Sequence, residues 1–162
     1  MKTQATKEIE DLLFQYVRGK SRVDFIVGEL DIGSKWGIVD ALHATINKNK
    51  ITWRCYEIKV SKKDFYSKAK VTFVGHFNYY VMPIELYEQV KQDIPKDIGV
   101  VVSHEVTYRY NGKQIEMKVI KKPKLRPLKV TSEHLASRFI TSSHRDLYKL
   151  IREVANGTKF DY

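Results

Sequence analysis

Two stretches decide how this chain folds: Ile38-Val39-Asp40-Ala41-Leu42 and Tyr56-Glu57-Ile58-Lys59-Val60. Each is apolar enough for a buried strand, yet each carries charge in its middle. Between them stands Asn47-Lys48-Asn49-Lys50, polar and short enough for a β-hairpin. We therefore read Gly37 to Ile46 and Ile51 to Val60 as antiparallel neighbours. Pairing about the hairpin's centre sets Asp40 opposite the region of Glu57 to Lys59. Residues 57 and 59 share a face, because strand side chains alternate. Two carboxylates and one ammonium then converge on one spot.

A carboxylate inside such a strand costs free energy unless it is paired, protonated or bound to a cation. Hard oxygens arranged this way suit Mg²⁺ or Mn²⁺, and the Ile58 carbonyl between them offers one more oxygen. Such a donor set matches phosphodiester hydrolysis, which needs a cation against the charge developing at phosphorus. Asp40 and Glu57 would hold the metal. Lys59 would contact the attacking water or stabilise that charge. Two other readings of the spacing stay open: a buried Asp–Lys–Glu ion cluster without catalytic role, and side chains that face solvent. Buried ion pairs seldom stabilise strongly, which makes the first a poor default.

Outward from this centre the hydrophobic period changes. Upstream, Ile9, Leu12, Leu13, Tyr16 and Val17 recur at helical spacing, predicting a helix over Thr6 to Arg18, capped by Thr6 and ended at Gly19. Asp24 to Leu30 reads as a strand. Downstream, Ser61 caps a helix over Lys62 to Lys70. Phe77 to Met82 is a buried strand, Ile84 to Lys91 a helix, and Ile98 to Ser103 another buried strand. Val106 to Tyr110 and Gln114 to Ile120 form a hairpin about Asn111-Gly112. After Pro123 and Pro127 the pattern turns helical, with Leu135, Phe139, Leu147, Leu150, Ile151 and Val154 as apolar positions. The expected fold is α/β (α+β): a central mixed sheet flanked by helices, with a C-terminal hairpin and helices.

The chain has 162 residues, the size of one domain able to bury a core unaided. We take residues 1–162 as a single domain, with a core over about 6–103 and a basic extension over 104–162. Cys55 is the only cysteine, so no internal disulfide forms. There is no signal-like apolar segment, and no apolar run nears the roughly 20 residues of a membrane span. The expectation is a soluble, cytoplasmic protein without membrane contact. A net charge of +10 favours a polyanionic partner, of which nucleic acid is the commonest inside cells.

The ordered set Val39-Asp40, hairpin, Glu57-Ile58-Lys59 resembles the PD-(D/E)XK nuclease superfamily. There an acid and an E-X-K lie on adjacent strands of a restriction-endonuclease-like αβββαβ core, and the element order here is similar. Glu57-Ile58-Lys59-Val60-Ser61 followed by Asp64-Phe65 resembles a segment of MmcB-type DNA-repair proteins. Asn78-Tyr79-Tyr80-Val81-Met82-Pro83 and Pro95-Lys96-Asp97-Ile98-Gly99-Val100-Val101 match two further segments of that family. The likeness spans about Asp24 to Ser103. It implies a Mg²⁺- or Mn²⁺-dependent nuclease acting on DNA in repair, recombination or phage and mobile-element DNA processing, with homodimers common. The alternative is a catalytically inactive nucleic-acid-binding protein that keeps the fold. A plain protein-interaction domain is a third reading.

Other residues extend the candidate site. Glu29 is a further metal ligand or supporting acid in the resemblance, and equally an exposed strand-end glutamate. Glu8 and Glu10 are read as surface acids of the first helix. Ser61 is chiefly a helix cap whose hydroxyl can face a phosphate. Lys62, Lys68 and Lys70 lie beside the site and are expected to contact the substrate backbone. Lys113 to Lys129 carries seven basic residues against the single acid Glu116. Within it, Lys121, Lys122, Lys124 and Arg126 are expected to track phosphates. His43, His76, His104, His134 and His144 show no metal-ligand spacing and are read as ordinary.

Overall fold

The computed structural model describes residues 2–155; the last part of the expected C-terminal extension, 156–162, lies outside the described residues. Helix α1 spans Gln4–Arg18, followed by strands β1 (Asp24–Asp31), β2 (Ile38–Asn47) and β3 (Lys50–Ile58). A single turn of helix, α2 (Lys62–Phe65), leads to β4 (Phe77–Pro83) and α3 (Ile84–Val90). Then come β5 (Gly99–Tyr108), β6 (Gly112–Lys121) and α4 (Ser132–Ala155). The six strands form one mixed sheet in the order β1-β2-β3-β4-β5-β6. The β3/β4 and β4/β5 pairs are parallel and the other three antiparallel. This is an α+β fold, as the periodicity predicts.

Two apolar faces hold it together. Ile9, Leu13 and Val17 of α1 pack on Ile26, Ala41, Tyr56, Ile58, Tyr79 and Val101. On the opposite face, Leu135 of α4 packs with Leu42, Trp53 and Cys55, while Leu86 and Val90 of α3 cover Tyr80, Met82 and Val102. Leu13 is fully buried, so truncation to alanine there costs about 2–5 kcal/mol. Among the described residues no helix is long and apolar enough to cross a membrane.

Several expected boundaries move, each for a physical reason. Thr3, not Thr6, caps α1: its hydroxyl accepts the Thr6 amide at 3.2 Å, which starts the helix earlier. The helix expected over Lys62 to Lys70 stops after one turn. The chain beyond it must carry Val74, with no exposure, and Phe73 onto the sheet in extended form. The strand expected at Ile98 to Ser103 and the first strand of the hairpin are one element, because His104 and Glu105 continue the ladder opposite Glu116 and Ile115. The C-terminal helices are one helix of 24 residues. Leu147, Leu150 and Ile151 do not pack inward as expected; they are exposed, because α4 runs past the sheet edge after Arg145, the last residue that bonds to β1.

Candidate active site

The hairpin register pairs Ala41 with Tyr56, so Asp40 falls opposite Glu57 one step on. Tyr56 and Ile58 enter the core beneath α1, and Glu57 between them points away from it by strand alternation. Glu57 is 6% and Lys59 3% exposed. Their side chains meet at 3.1 Å between Lys59 Nζ and Glu57 Oε1. Asp40 Oδ2 accepts the Ile58 amide at 2.8 Å, so the acid grips the backbone between Glu57 and Lys59. The structure thus brings together the three residues on which the sequence converges.

The electrostatics are unusual for a structural cluster. Burial, then the neighbouring Asp40 carboxylate, push the Glu57 pKa up to about 7 against the pull of Lys59. Burial also raises Asp40, although the Ile58 amide and the Lys2 and Lys59 charges oppose it. Asp40 and Glu57 therefore share a largely desolvated spot around the Lys59 ammonium, with the Lys2 charge also acting on Asp40. Hard carboxylate oxygens of this kind would suit Mg²⁺ or Mn²⁺. Among the described residues no group of three or more His, Cys, Asp or Glu side chains is arranged to hold a metal. Asp40 and Glu57 are the side chains that could hold a cation here, with a main-chain oxygen such as that of Ile58 beside them.

Asp64 joins this centre, a residue the sequence reading leaves in a helical turn. Its Oδ1 lies 3.7 Å from Lys59 Nζ and its Oδ2 accepts the Val60 amide at 3.2 Å. Ser61 caps α2 as expected, its hydroxyl accepting the Asp64 amide at 3.1 Å. Lys62 and Lys68 are exposed. Lys70 donates to the Lys35 carbonyl on the loop between β1 and β2.

Glu29 does not join Asp40 and Glu57. Its side chain is 52% exposed and lies 3.3 Å from Lys2 Nζ. Its φ of +47° turns the backbone at the sheet edge. Lys2 also binds Glu10 Oε1 at 2.5 Å, and Glu10 is only 18% exposed at its side chain. Glu10 is therefore half-buried above Gly28, where any Cβ would stand 2.9 Å from its Oε1. Reading Glu10 as a surface acid misses this. The signal was a glycine inside a strand, Gly28, which marks close approach by another group. Lys2 carries no recognisable motif, although its charge is felt at Asp40.

The basic arm is partly tied into the fold. Lys121 Nζ donates to the Pro95 and Ile98 carbonyls at 2.5 and 2.7 Å. Arg126 pairs with Asp97 at 2.6 Å, and its amide reaches the His76 carbonyl at 2.9 Å. His76 itself bonds to Trp53, four residues before Glu57, so the arm runs back along the sheet away from the carboxylates. Lys122 and Lys124 are exposed along it. His43, His76 and His134 each have a structural partner: Asp24, Trp53 and the Ile32 carbonyl. Cys55 is buried, and desolvation pushes its thiol up to about 12.

No protein-family model matches the chain, and no curated protein matches it closely enough to identify a relative.

Proposed function

We propose that this chain is a metal-dependent nuclease of the PD-(D/E)XK kind, cleaving phosphodiester bonds of DNA. The observation that carries the proposal is the convergence of Asp40, Glu57 and Lys59. Two acids hold raised pKa values in one largely desolvated place, beside the Lys59 ammonium. A buried acid with a strongly raised pKa beside specific charge partners marks a candidate for chemistry. The element order of helix, three strands, helix and strand, with the acid on the second strand and E-X-K ending the third, supports the same reading.

When bound, Mg²⁺ or Mn²⁺ offsets the charge that develops on the scissile phosphate. Asp40 and Glu57 are its carboxylate ligands, with the Ile58 carbonyl beside them. The Asp40–Ile58 hydrogen bond fixes the ligands relative to one another. Lys59, held by Glu57 and Asp64, presents its ammonium to the attacking water or the phosphate oxygens. The exposed Lys62 and Lys68 contact the substrate backbone. The setting is the cytoplasm, in DNA repair, recombination or the processing of phage and mobile-element DNA.

The test is cleavage of plasmid, linear and single-stranded DNA, and of RNA, with Mg²⁺, Mn²⁺ or EDTA. Metal-dependent cutting that disappears in both Asp40→Ala and Lys59→Ala supports the enzyme. Salt-sensitive binding without cutting of any substrate would mean a nucleic-acid-binding protein that keeps the fold without the reaction.

A further inference from the structure

The loop from Ile32 to Gly37 joins β1 to β2 at the end of the sheet that carries Asp40. Its own hydrogen bonds brace it. Ile32 donates to the Gly37 carbonyl at 2.9 Å, and the Trp36 and Gly37 amides both reach the Gly33 carbonyl, at 2.9 and 2.8 Å. Asp31 Oδ1 accepts the Gly33 amide at 2.8 Å. Gly33 and Gly37 stand at φ +119° and +90°, where side chains with a Cβ are strained. The segment after α2 clamps the loop from outside: the Thr72 hydroxyl donates to the Trp36 carbonyl at 2.5 Å, and Lys70 donates to the Lys35 carbonyl.

This bracing keeps an indole at the surface. Trp36 packs against the core cluster under α4 on one side and stays half-buried, with Lys35 Nζ 5.0 Å from its ring centroid. An open cleft of about 420 Å³ lies alongside, lined by Gly33, Ser34, Lys35, Trp36, Thr131 and His134 among others, with no acidic side chain. One lysine over an aromatic floor, with no acid in the lining, suits an anion that carries a flat ring able to take the place of the Lys35 ammonium on the indole.

We propose that Trp36 is a stacking platform for an unpaired base of the substrate strand, with Lys35 and Lys70 gripping the adjoining phosphates. This rests on the nucleic-acid reading of the carboxylate site. The indole accepts any base, so the contact gives grip without sequence preference. The loop runs directly into β2, four residues before Asp40, so a strand held there is delivered toward the carboxylates. Lys35 on the indole and the polar Ser34, Thr131 and His134 around it argue against an apolar peptide as the occupant.

Intrinsic fluorescence isolates this residue. The chain has two tryptophans. Trp53 is 1% exposed and bonded to Ser132 at 2.8 Å, so a change in emission on binding reports Trp36. The protein is titrated with a labelled oligothymidylate in EDTA, following anisotropy and tryptophan emission together. Emission is expected to be quenched in step with binding. Trp36→Ala is expected to weaken binding roughly tenfold, while Trp36→Phe keeps most of the affinity and removes the quenching. Lys35→Ala should reduce the log–log salt slope by about 0.7. Binding with unmoved emission, and with Trp36→Ala or Lys35→Ala no weaker than wild type, overturns the stacking site. In that case cleavage that depends on Asp40 leaves the nuclease reading intact. A protein that neither binds nor cuts any nucleic acid overturns both. Should Trp36→Ala fail to fold, the Trp36→Phe and Lys35→Ala titrations decide.

Discussion

Strands β2 and β3 carry two buried polar clusters within three residues of each other, and they are built on opposite principles. Around His43 every charge is answered. His43 Nε2 lies 2.7 Å from Asp24 Oδ1 and its Nδ1 3.1 Å from the Tyr56 hydroxyl. The Thr45 hydroxyl donates to Asp24 at 2.6 Å and accepts from Arg54 at 2.7 Å. A neutral ring protonated on Nε2 satisfies both of its neighbours. Burial pulls the Asp24 pKa upward, but the Thr45 and His43 hydrogen bonds outweigh it and hold Asp24 below its usual range. Around Asp40 the balance fails, and both acids are pushed up instead. The first cluster stabilises the fold. The second holds its acids above their usual range, which is the pattern expected of the proposed metal site.

Substitutions can break this contrast. The largest effect is expected on cleavage: Asp40→Ala and Lys59→Ala each lower the rate by roughly 10²–10³-fold or more in a plasmid-nicking assay. Circular dichroism of both variants should remain that of the folded protein. Next comes Asp24→Ala, which leaves the His43 ring and the Thr45 hydroxyl without their acceptor. It should cost about 1–3 kcal/mol in urea unfolding, with cleavage per folded molecule unchanged. Unchanged stability would mean the His43 cluster is not the closed network its geometry indicates.

The pH dependence sharpens the contrast further. Glu57 is raised in the folded state, so its contribution favours folding at low pH, where it is protonated in both states. That contribution is lost as pH rises through the folded value of about 7. In EDTA, stability should therefore fall between about pH 4.5 and 7. Glu57→Gln should flatten that fall and raise stability at pH 8 by on the order of 1 kcal/mol. Added Mg²⁺ should restore wild-type stability and leave the variant unmoved. Asp24 works in the opposite sense, since its lowered pKa gives stability that is lost only as pH falls into the acid range. The smallest effect belongs to the basic residues: Lys62→Ala or Lys68→Ala should reduce the salt slope of duplex binding by about 0.9 each. Arg126→Ala, already paired to Asp97, should reduce it less.

The centre of the fold was legible because its signals are local. The polar tetrad at Asn47 to Lys50 and the alternation on either side fix the register that pairs Asp40 with Glu57. What was illegible depends on distant packing. Nothing near Lys62 announces that its helix ends after one turn, since that is set by Phe73 and Val74 reaching the sheet. Leu147, Leu150 and Ile151 keep a helical period without a surface to cover. Glu10 and Lys2 reach the site's surroundings only because α1 crosses the sheet edge at Gly28. Asp64 enters through a cap whose role reads the same with or without Lys59 beside it.

The proposed nuclease requires Asp40 and Glu57 to share one divalent cation. Calorimetric titration of Mn²⁺ at pH 7.5, comparing wild type with Asp40→Asn and Glu57→Gln, addresses it directly. Saturable binding to the wild type is expected, weakened at least tenfold by either substitution. Equal Mn²⁺ affinity in all three proteins, or no saturable binding to the wild type, would contradict it.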